Sequence, residues 1–135
     1  MIAFTVPGAP VGKGRPRIGK VGNHARMFTP AKTASYESLI AHAAHVAMAG
    51  RPLLQDAVAV NLFIDCPVPA SWSAKKQRMA VAGEVFPTAK PDADNVVKAI
   101  FDGMNDVVWR DDVLVVDLRV RKRYAATPGV RVEVW

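Results

Sequence analysis

The sequence predicts a single α/β domain in which a mixed β-sheet packs against two to three helices. The chain has 135 residues, which is enough for one hydrophobic core and too few for two. Half of the residues are apolar and 22% are charged, as in a folded globular protein. Strand-like and helix-like periodicities alternate along the chain, without an internal repeat or a linker. We therefore expect residues 1–135 to form one domain.

The first half predicts a strand, a basic loop and a helix. Residues 2–6 form a short apolar segment with several β-branched side chains, which predicts a strand that ends at Pro7. The segment 8–30 holds five glycines and three prolines, so it predicts a basic loop with room for a short hairpin. Residues 31–49 predict a helix with Thr33 or Ser35 as N-cap and Gly50 as its stop. The apolar stripe of this helix is expected to be Tyr36, Leu39, Ile40, Ala43 and Ala47.

The second half predicts two helices between strands. Strict alternation over residues 57–65 predicts a strand, and Ser71 or Ser73 is expected to cap a short basic helix over 74–81. Three- and four-residue spacing of apolar side chains predicts a further helix over about 95–105. Residues 113–123 and 130–134 read as strands joined into a hairpin by the turn at 127–129. The first of these carries Leu114, Val116, Leu118 and Val120 on one face and Asp117, Arg119, Arg121 and Arg123 on the other.

The charges are unevenly distributed. The formal net charge is +6 and the isoelectric point is near 9.8, which favours a polyanionic partner. Residues 1–50 carry six Lys and Arg side chains and one Glu, whereas residues 90–117 carry seven Asp and three Lys or Arg. Basic side chains dominate again over residues 119–123. An acidic segment between two basic ones indicates either a balanced surface or a cation site.

Cysteine content and hydropathy exclude other classes of protein. Cys66 is the single cysteine, which excludes an internal disulfide framework and a cysteine-based zinc finger. The longest stretch without Lys, Arg, Asp or Glu near the middle of the chain, 38–50, is too short and too polar to span a bilayer. The N-terminus does not have the charge order of a signal peptide. We therefore expect a soluble cytoplasmic protein.

The segment KPDADNVVKAIFDGMNDVVWRDD concentrates the candidate chemistry. Asp92 and Asp94 lie two residues apart after Pro91, so in an extended entry both carboxylates can reach one hard cation. Lys98 follows Asp94 by one helical turn and faces the same side. The pair Asp111 and Asp112 begins the next strand. Carboxylates that hold Mg²⁺ and a lysine that stabilises phosphate charge fit phosphodiester hydrolysis.

The same residues also have interpretations that involve no catalysis. Asp94 or Asn95 can serve as a helix N-cap, and Asp94, Lys98 and Asp102 have the spacing of a surface ion-pair stripe. The arginines of residues 119–123 fit a solvated strand edge. His42 and His45 are spaced to bind a metal but lack nearby acids. The segment GKGRPR lacks the ending of a P-loop and also reads as a flexible basic loop.

The run PDADNVVKAIFDGMNDVVWRDDVLVVDLRVRKRY resembles the RusA family of crossover-junction endodeoxyribonucleases of phages and prophages. In that family a DxDNxxK helix start is followed by a W/Y-x-DD strand start. GAPVGKGRPR, FTPAKTASYE and the closing hairpin resemble the phage-type members, so the likeness covers nearly the whole chain and implies a small RusA-like domain. By position, the resemblance implies catalytic and metal-binding roles for Asp92, Asp94 and Asp112 and a catalytic role for Lys98. Strand pleating points neighbouring side chains in opposite directions, so Asp111 remains an alternative third ligand.

The resemblance also implies the substrate and the assembly. It implies a symmetric homodimer that binds a four-way (Holliday) DNA junction and makes paired nicks with Mg²⁺, or with Mn²⁺ in its place, in recombination and repair at the nucleoid. No membrane and no small-molecule substrate is expected. The side chains expected to contact DNA phosphates are Lys13, Arg15, Arg17, Lys20, Lys90, Arg119 and Arg121.

Two other hypotheses compete with the nuclease. One is a DNA-binding protein of the same fold that lacks activity or needs another protein, and it predicts junction binding without metal-dependent nicking. The other is a structural or RNA-binding protein in which the aspartates are caps and ion pairs. It predicts that Mg²⁺ neither binds nor stabilises the protein.

Overall fold

A computed structural model describes residues 1–14 and 31–135, together with the backbone of two strands between them. The mixed sheet and its helices confirm the predicted α/β class. The elements are β1 (Ile2–Pro7), β2 (Arg17–Val21), β3 (His24–Phe28), α1 (Ala31–Met48), β4 (Val58–Pro67), α2 (Ala74–Val81), α3 (Ala93–Met104), a 3₁₀ turn (Asp112–Leu114), β5 (Val115–Ala125) and β6 (Gly129–Val134).

The main sheet has the strand order β1-β6-β4-β5, and β2 and β3 form a separate hairpin inside the predicted basic loop. β4 and β5 run parallel, whereas β6 is antiparallel to both β1 and β4. The prediction of a hairpin between the last two strands is therefore wrong. The three valines of β6 are fully buried at the centre of the sheet, whereas the charged strand β5 takes an edge, where charge is tolerated. These valines are Val130, Val132 and Val134.

The core lies between one face of the sheet and the helices α1 and α3. The alternation predicted for β4 is confirmed, because Val58, Val60, Leu62 and Ile64 are all buried. α1 and α3 approach each other so closely that a Cβ on Gly103 would lie 2.7 Å from the Cβ of Ile40. Only glycine fits there without displacing α1. We call the face of the sheet opposite these helices the outer face.

The predicted helix over 31–49 forms, but its cap and its buried stripe differ from the prediction. α1 begins at Ala31, so Thr33 lies inside the helix, where it is buried and its Oγ1 accepts a hydrogen bond from the Gly14 amide at 2.9 Å. Leu39 is 38% exposed. The buried residues of α1 are spaced mostly four apart. The buried stripe therefore lies to one side of the predicted apolar stripe. They are Thr33, Tyr36, Ile40, Ala44 and Met48.

The two later helices follow the predictions more closely. Ser73 caps α2, because its hydroxyl accepts a hydrogen bond from the Lys76 amide at 3.2 Å. α3 begins two residues earlier than predicted and buries the expected apolar side. No helix in residues 1–14 and 31–135 is long and apolar enough to cross a membrane.

β5 leaves its apolar face uncovered. Its register with β4 places Leu118 beside Val60 and Val120 beside Leu62, on the side of the sheet that carries the helices. These two side chains are nevertheless 41% and 38% exposed, and Val116, at a register shift, is 73% exposed. α1 and α3 do not reach the edge of the sheet. The apolar alternation of β5 therefore marks a surface.

Candidate functional site

The N-terminus of α3 carries the first two candidate carboxylates. Asp92 is the N-cap of α3, in extended backbone, and its side chain makes no capping hydrogen bond to the helix amides. Asp94 lies in the first turn, where its Oδ1 accepts a hydrogen bond from the Asn95 amide at 3.0 Å. Both aspartates are exposed. The alternative in which Asp94 or Asn95 is the N-cap is therefore wrong, and both carboxylates face solvent.

Lys98 and Asp102 continue along α3 at one-turn spacing. Lys98 is exposed, and no ion pair joins it to Asp94 or Asp102 within the described ranges 1–14 and 31–135. Asp102 pairs instead with Lys13, with 3.1 Å between its Oδ2 and the lysine Nζ. The ion-pair stripe proposed as an alternative reading does not form between these side chains.

The chain returns from α3 to β5 through a turn built around Trp109. Trp109 is fully buried, and its indole Nε1 donates to Asn105 Oδ1 at 2.8 Å. Its ring packs edge-to-face on Phe101 of α3, with 5.6 Å between the ring centroids. Trp109 therefore anchors the two residues that follow Arg110, which are Asp111 and Asp112, against the helix that carries Lys98.

Asp112 lies within an acidic cluster that also includes Asp111 and Asp102. Partial burial raises the pKa of Asp112, and its hydrogen bond with the Asp111 carboxylate and the charges of Asp111 and Asp102 raise it further. The charge of Lys98 acts in the opposite direction. The structure thus brings Asp112, Asp111, Asp102 and Lys98 into one electrostatic environment. A cation at this place would relieve the repulsion between the carboxylates.

The donor set is chemically suited to Mg²⁺, although its carboxylates are not gathered into one group. Carboxylate oxygens are the ligands that hard divalent cations prefer. In residues 1–14 and 31–135, no three His, Cys, Asp or Glu side chains converge closely enough to hold a metal ion, and this also applies to His42 and His45. The ligand set Asp92, Asp94 and Asp112, and the choice between Asp111 and Asp112, therefore remain predictions.

Lys13 connects the N-terminal segment to this site. Its ammonium hydrogen-bonds Glu37 of α1 as well as Asp102, and its backbone amide donates to the Asn95 carbonyl at 2.8 Å. Its side chain is only 17% exposed. Burial opposes the charge of Lys13, but the hydrogen bonds and charges of Glu37 and Asp102 outweigh burial and raise the pKa of Lys13. Phosphate contact by Lys13 stays a prediction, and its observed role is to join α1 and α3.

The other predicted DNA contacts lie in three places. Arg15 lies outside the described residues, as do the side chains of Arg17 and Lys20, whose backbone forms part of β2. Lys90 is exposed two residues before Asp92. Arg119 and Arg121 are exposed on the outer face of β5, where their register partners are Asn61 and Phe63. The sheet therefore separates these two arginines from the helical face.

Two features near the site were not predicted. The bridge from Lys13 to Glu37 and Asp102 joins residues far apart in sequence, so no local spacing indicates it. Lys122 donates to the Ala89 carbonyl at 2.6 Å and so holds the segment before Asp92 against β5. The alternation along 119–123 could have indicated this contact, because it places Lys122 on the opposite side of the strand from its arginine neighbours.

Comparison with known proteins identifies the family of this chain. The family model for the endodeoxyribonuclease RusA matches residues 7–135. The chain is also similar to YqaN of Bacillus subtilis (strain 168), an uncharacterised protein, with 38% identity over 137 residues that cover 98% of this chain and 94% of YqaN. The matched range covers nearly the whole chain. The chain belongs to the RusA family of endodeoxyribonucleases.

Proposed function

We propose that this protein is a Mg²⁺-dependent endodeoxyribonuclease that resolves four-way DNA junctions by paired nicks in recombination and repair. The observation that carries the proposal is the exposed pair of carboxylates, Asp92 and Asp94, at the start of α3 and one turn before Lys98, in a protein of net charge +6. Without a cation, these carboxylates would repel the phosphate that the basic surfaces attract. The family match to endodeoxyribonucleases supports the same chemistry. A DNA substrate would place the protein in the cytoplasm with the nucleoid.

Each residue of the site has a separate task in this proposal. Asp92, Asp94 and Asp112 would hold Mg²⁺, with Mn²⁺ as a substitute, and the ion would neutralise phosphate charge and favour ionisation of an attacking water. Lys98 would donate hydrogen bonds to a phosphate oxygen and stabilise the charge that develops during hydrolysis. Asp111, whose charge acts on Asp112, would be the alternative third ligand. Lys13 neutralises Asp102 and limits the excess negative charge beside Lys98.

The arginines and the N-terminal segment would bind the DNA backbone. Arg119 and Arg121 are exposed, and the basic segment that begins after Gly14 is tied down at its start by the Lys13 amide. Contacts of this kind set the position of the DNA without reading its sequence, and they make binding sensitive to salt.

A homodimer is part of the proposal, because a junction presents two strands for cleavage. The uncovered apolar face of β5 supports a second copy as its occupant. Its exposed side chains lie directly after Asp112, so pairing through this face would bring two sites near one twofold axis. They are Val116, Leu118 and Val120, which are 73%, 41% and 38% exposed, and Val113 of the preceding 3₁₀ turn is 75% exposed.

A binding protein of the same fold without activity is the second candidate. The absence of three converging metal-ligating side chains among residues 1–14 and 31–135 favours it. It differs from the nuclease in one outcome, because it would bind the junction and leave both strands intact with Mg²⁺.

The proposal is tested by incubating the purified protein with a synthetic four-way junction, with and without Mg²⁺. Paired nicks that require Mg²⁺ or Mn²⁺ are the expected result. Junction binding without nicking in either metal would favour the binding protein. Absence of both binding and nicking would contradict both candidates.

A further inference from the structure

We propose that the free edge of β1 and the groove beside it form a docking site for an extended segment of another protein, which would lie beside β1 as an additional strand of the main sheet. The site is at the opposite end of the sheet from β5. It adds a protein partner to the DNA substrate proposed above and does not depend on nuclease activity.

The direction of the hydrogen bonds along β6 can be read from its far end. Ala59 and Trp135 exchange both backbone hydrogen bonds, at 3.1 and 2.9 Å, so the backbone of Trp135 faces β4. Hydrogen-bonding groups alternate between the two sides of a strand. The backbones of Val130, Val132 and Val134 therefore face β1.

The same alternation identifies the free groups of β1. Ile2, Phe4 and Val6 lie opposite those three valines and bond to them. The backbone N–H and C=O groups of Ala3 and Thr5 therefore point away from β6. Within residues 1–14 and 31–135, no second strand pairs with β1 to receive them. An extended peptide backbone has donors and acceptors at the same spacing, which is the basis of recognition by strand addition.

The edge of β1 lacks the charges that usually protect such an edge. Proteins block unwanted strand pairing with charged side chains on their edge strands. β5, at the other end of the sheet, carries Asp117 and three arginines on its outer face, whereas residues 2–12 carry no charged side chain. Ala3 and Thr5 are both exposed. β1 is therefore open to pairing with another chain.

An apolar groove of about 410 Å³ lies between this edge and α1. Phe4 lines it from β1, and Leu39, Ala43 and Val46 line it from α1. Leu39 and Val46 are 38% and 63% exposed. Among the described residues that line the groove there is no Asp, Glu, Lys or Arg. Side chains of a docked strand opposite Phe4 would enter this groove, because directly paired residues share one face of a sheet.

The lack of charge and the position of the edge indicate the occupant. Nucleic acid needs cations for its phosphates, and none of the 18 Lys and Arg side chains lies on β1. A second copy of this chain is already assigned to β5 in the proposed dimer. Twofold pairing at both ends of one sheet would link the copies into an open chain. The occupant that fits is an extended segment of a different protein, with uncharged apolar side chains at alternate positions.

The probe is a capped peptide as long as β1, in which valine and threonine alternate so that the valines face the groove. Binding is measured and located by the backbone amide shifts of the isotope-labelled protein. Thr5→Pro removes an outward N–H without removing a bond to β6, and Thr5→Val is its control. Val46→Lys places a charge in the groove. Its control is Val81→Lys, because Val81 is 51% exposed on α2, which packs on β5.

We expect the wild type to bind the peptide with a dissociation constant below about 1 mM, with shifts centred on β1 and α1. Thr5→Pro and Val46→Lys should each weaken binding at least about 5-fold, whereas both controls should bind like the wild type. Absence of wild-type binding, shifts centred on other elements, or unchanged binding by a folded Thr5→Pro variant would overturn the inference.

Backbone methylation of the peptide tests strand addition separately. In an antiparallel pair the threonine amides would face β1, and in a parallel pair the valine amides would face it. N-methylation of one of the two sets should therefore abolish binding, and N-methylation of the other should leave it intact. Equal effects of the two sets would contradict docking through the edge of β1.

Two further measurements separate this inference from the proposals above. Sedimentation velocity should give the wild type and Thr5→Pro the same association state. A smaller assembly for Thr5→Pro would show that a second copy occupies the edge and would overturn the inference. With Mg²⁺, Thr5→Pro should nick a four-way junction at the wild-type rate. A wild type that binds the peptide and does not nick the junction removes the proposed nuclease and supports the docking site.

Discussion

The Lys13 ammonium lies 3.1 Å from the Asp102 carboxylate and also pairs with Glu37, so a residue of the N-terminal segment joins α1 to α3 beside the candidate site. All three side chains are less than one-third exposed. The Lys13 amide binds the carbonyl of Asn95 in the same helix. The start of the basic segment is therefore attached to the helix that carries Lys98.

Lys13→Met should destabilise the protein by about 1–2 kcal/mol, because it leaves two part-buried carboxylates unpaired. The free energy of unfolding, measured in urea, tests this, and Lys32→Met on the exposed side of α1 is the control. The folded state raises the pKa of Lys13, so its stabilising effect is fully present below the ordinary lysine value of 10.5. The difference between wild type and variant should stay constant from pH 7 to about 10 and shrink as pH rises through the raised pKa. Equal unfolding midpoints at pH 7 would contradict this account.

Trp109→Phe should destabilise the protein by about 2 kcal/mol, because it removes buried volume and leaves Asn105 Oδ1 without its 2.8 Å partner. Thermal unfolding measures the loss. Trp135→Phe is the matched control, since Trp135 is 54% exposed at the end of the chain, and it should unfold like the wild type. Similar losses for both variants would show that Trp109 has no special role in holding the turn before Asp111.

Mg²⁺ should raise the melting temperature of the wild type, and it should raise that of Asp112→Asn by less than half as much. A cation that binds the folded protein stabilises it by mass action, and the substitution removes one charged ligand and the repulsion that the cation relieves. Differential scanning fluorimetry across a Mg²⁺ titration tests this, with isothermal calorimetry as the direct measure of binding. An equal shift in both proteins would remove Asp112 from the ligand set and favour Asp111, and no shift in either would contradict the metal site.

Much of the fold was predictable because local patterns determined it. The alternation in β4 and the cap at Ser73 are properties of neighbouring residues, and both appear as predicted. The pairing of β6 was not predictable from its turn. A Pro-Gly turn indicates a reversal of the chain, whereas burial of three valines decided that β6 lies between β1 and β4. The exposed side of β5 was missed because alternation indicates a face and does not show what covers it.

The candidate site, like the fold, was predictable from the sequence only in part. The compound spacing of Asp92, Asp94, Lys98 and Asp112 pointed to the correct family, and the structure places Asp112 within the electrostatic reach of Lys98. The pairing of Lys13 with Asp102 depends on how the N-terminal segment crosses α3, which is a tertiary contact. The ligand set depends on side-chain positions that spacing along the chain does not determine.

The most direct test of the central claim is the rate of four-way junction nicking with Mg²⁺ for the wild type, Asp92→Asn, Asp112→Asn and Asp117→Asn. Asp117 is an exposed carboxylate of β5, opposite Ala59 and outside the proposed ligand set, so it serves as the matched control. We predict that Asp92→Asn and Asp112→Asn bind the junction and nick it at least about 100-fold more slowly, as expected when a metal ligand is lost. Asp117→Asn should nick at the wild-type rate. Wild-type nicking by Asp92→Asn would contradict the account.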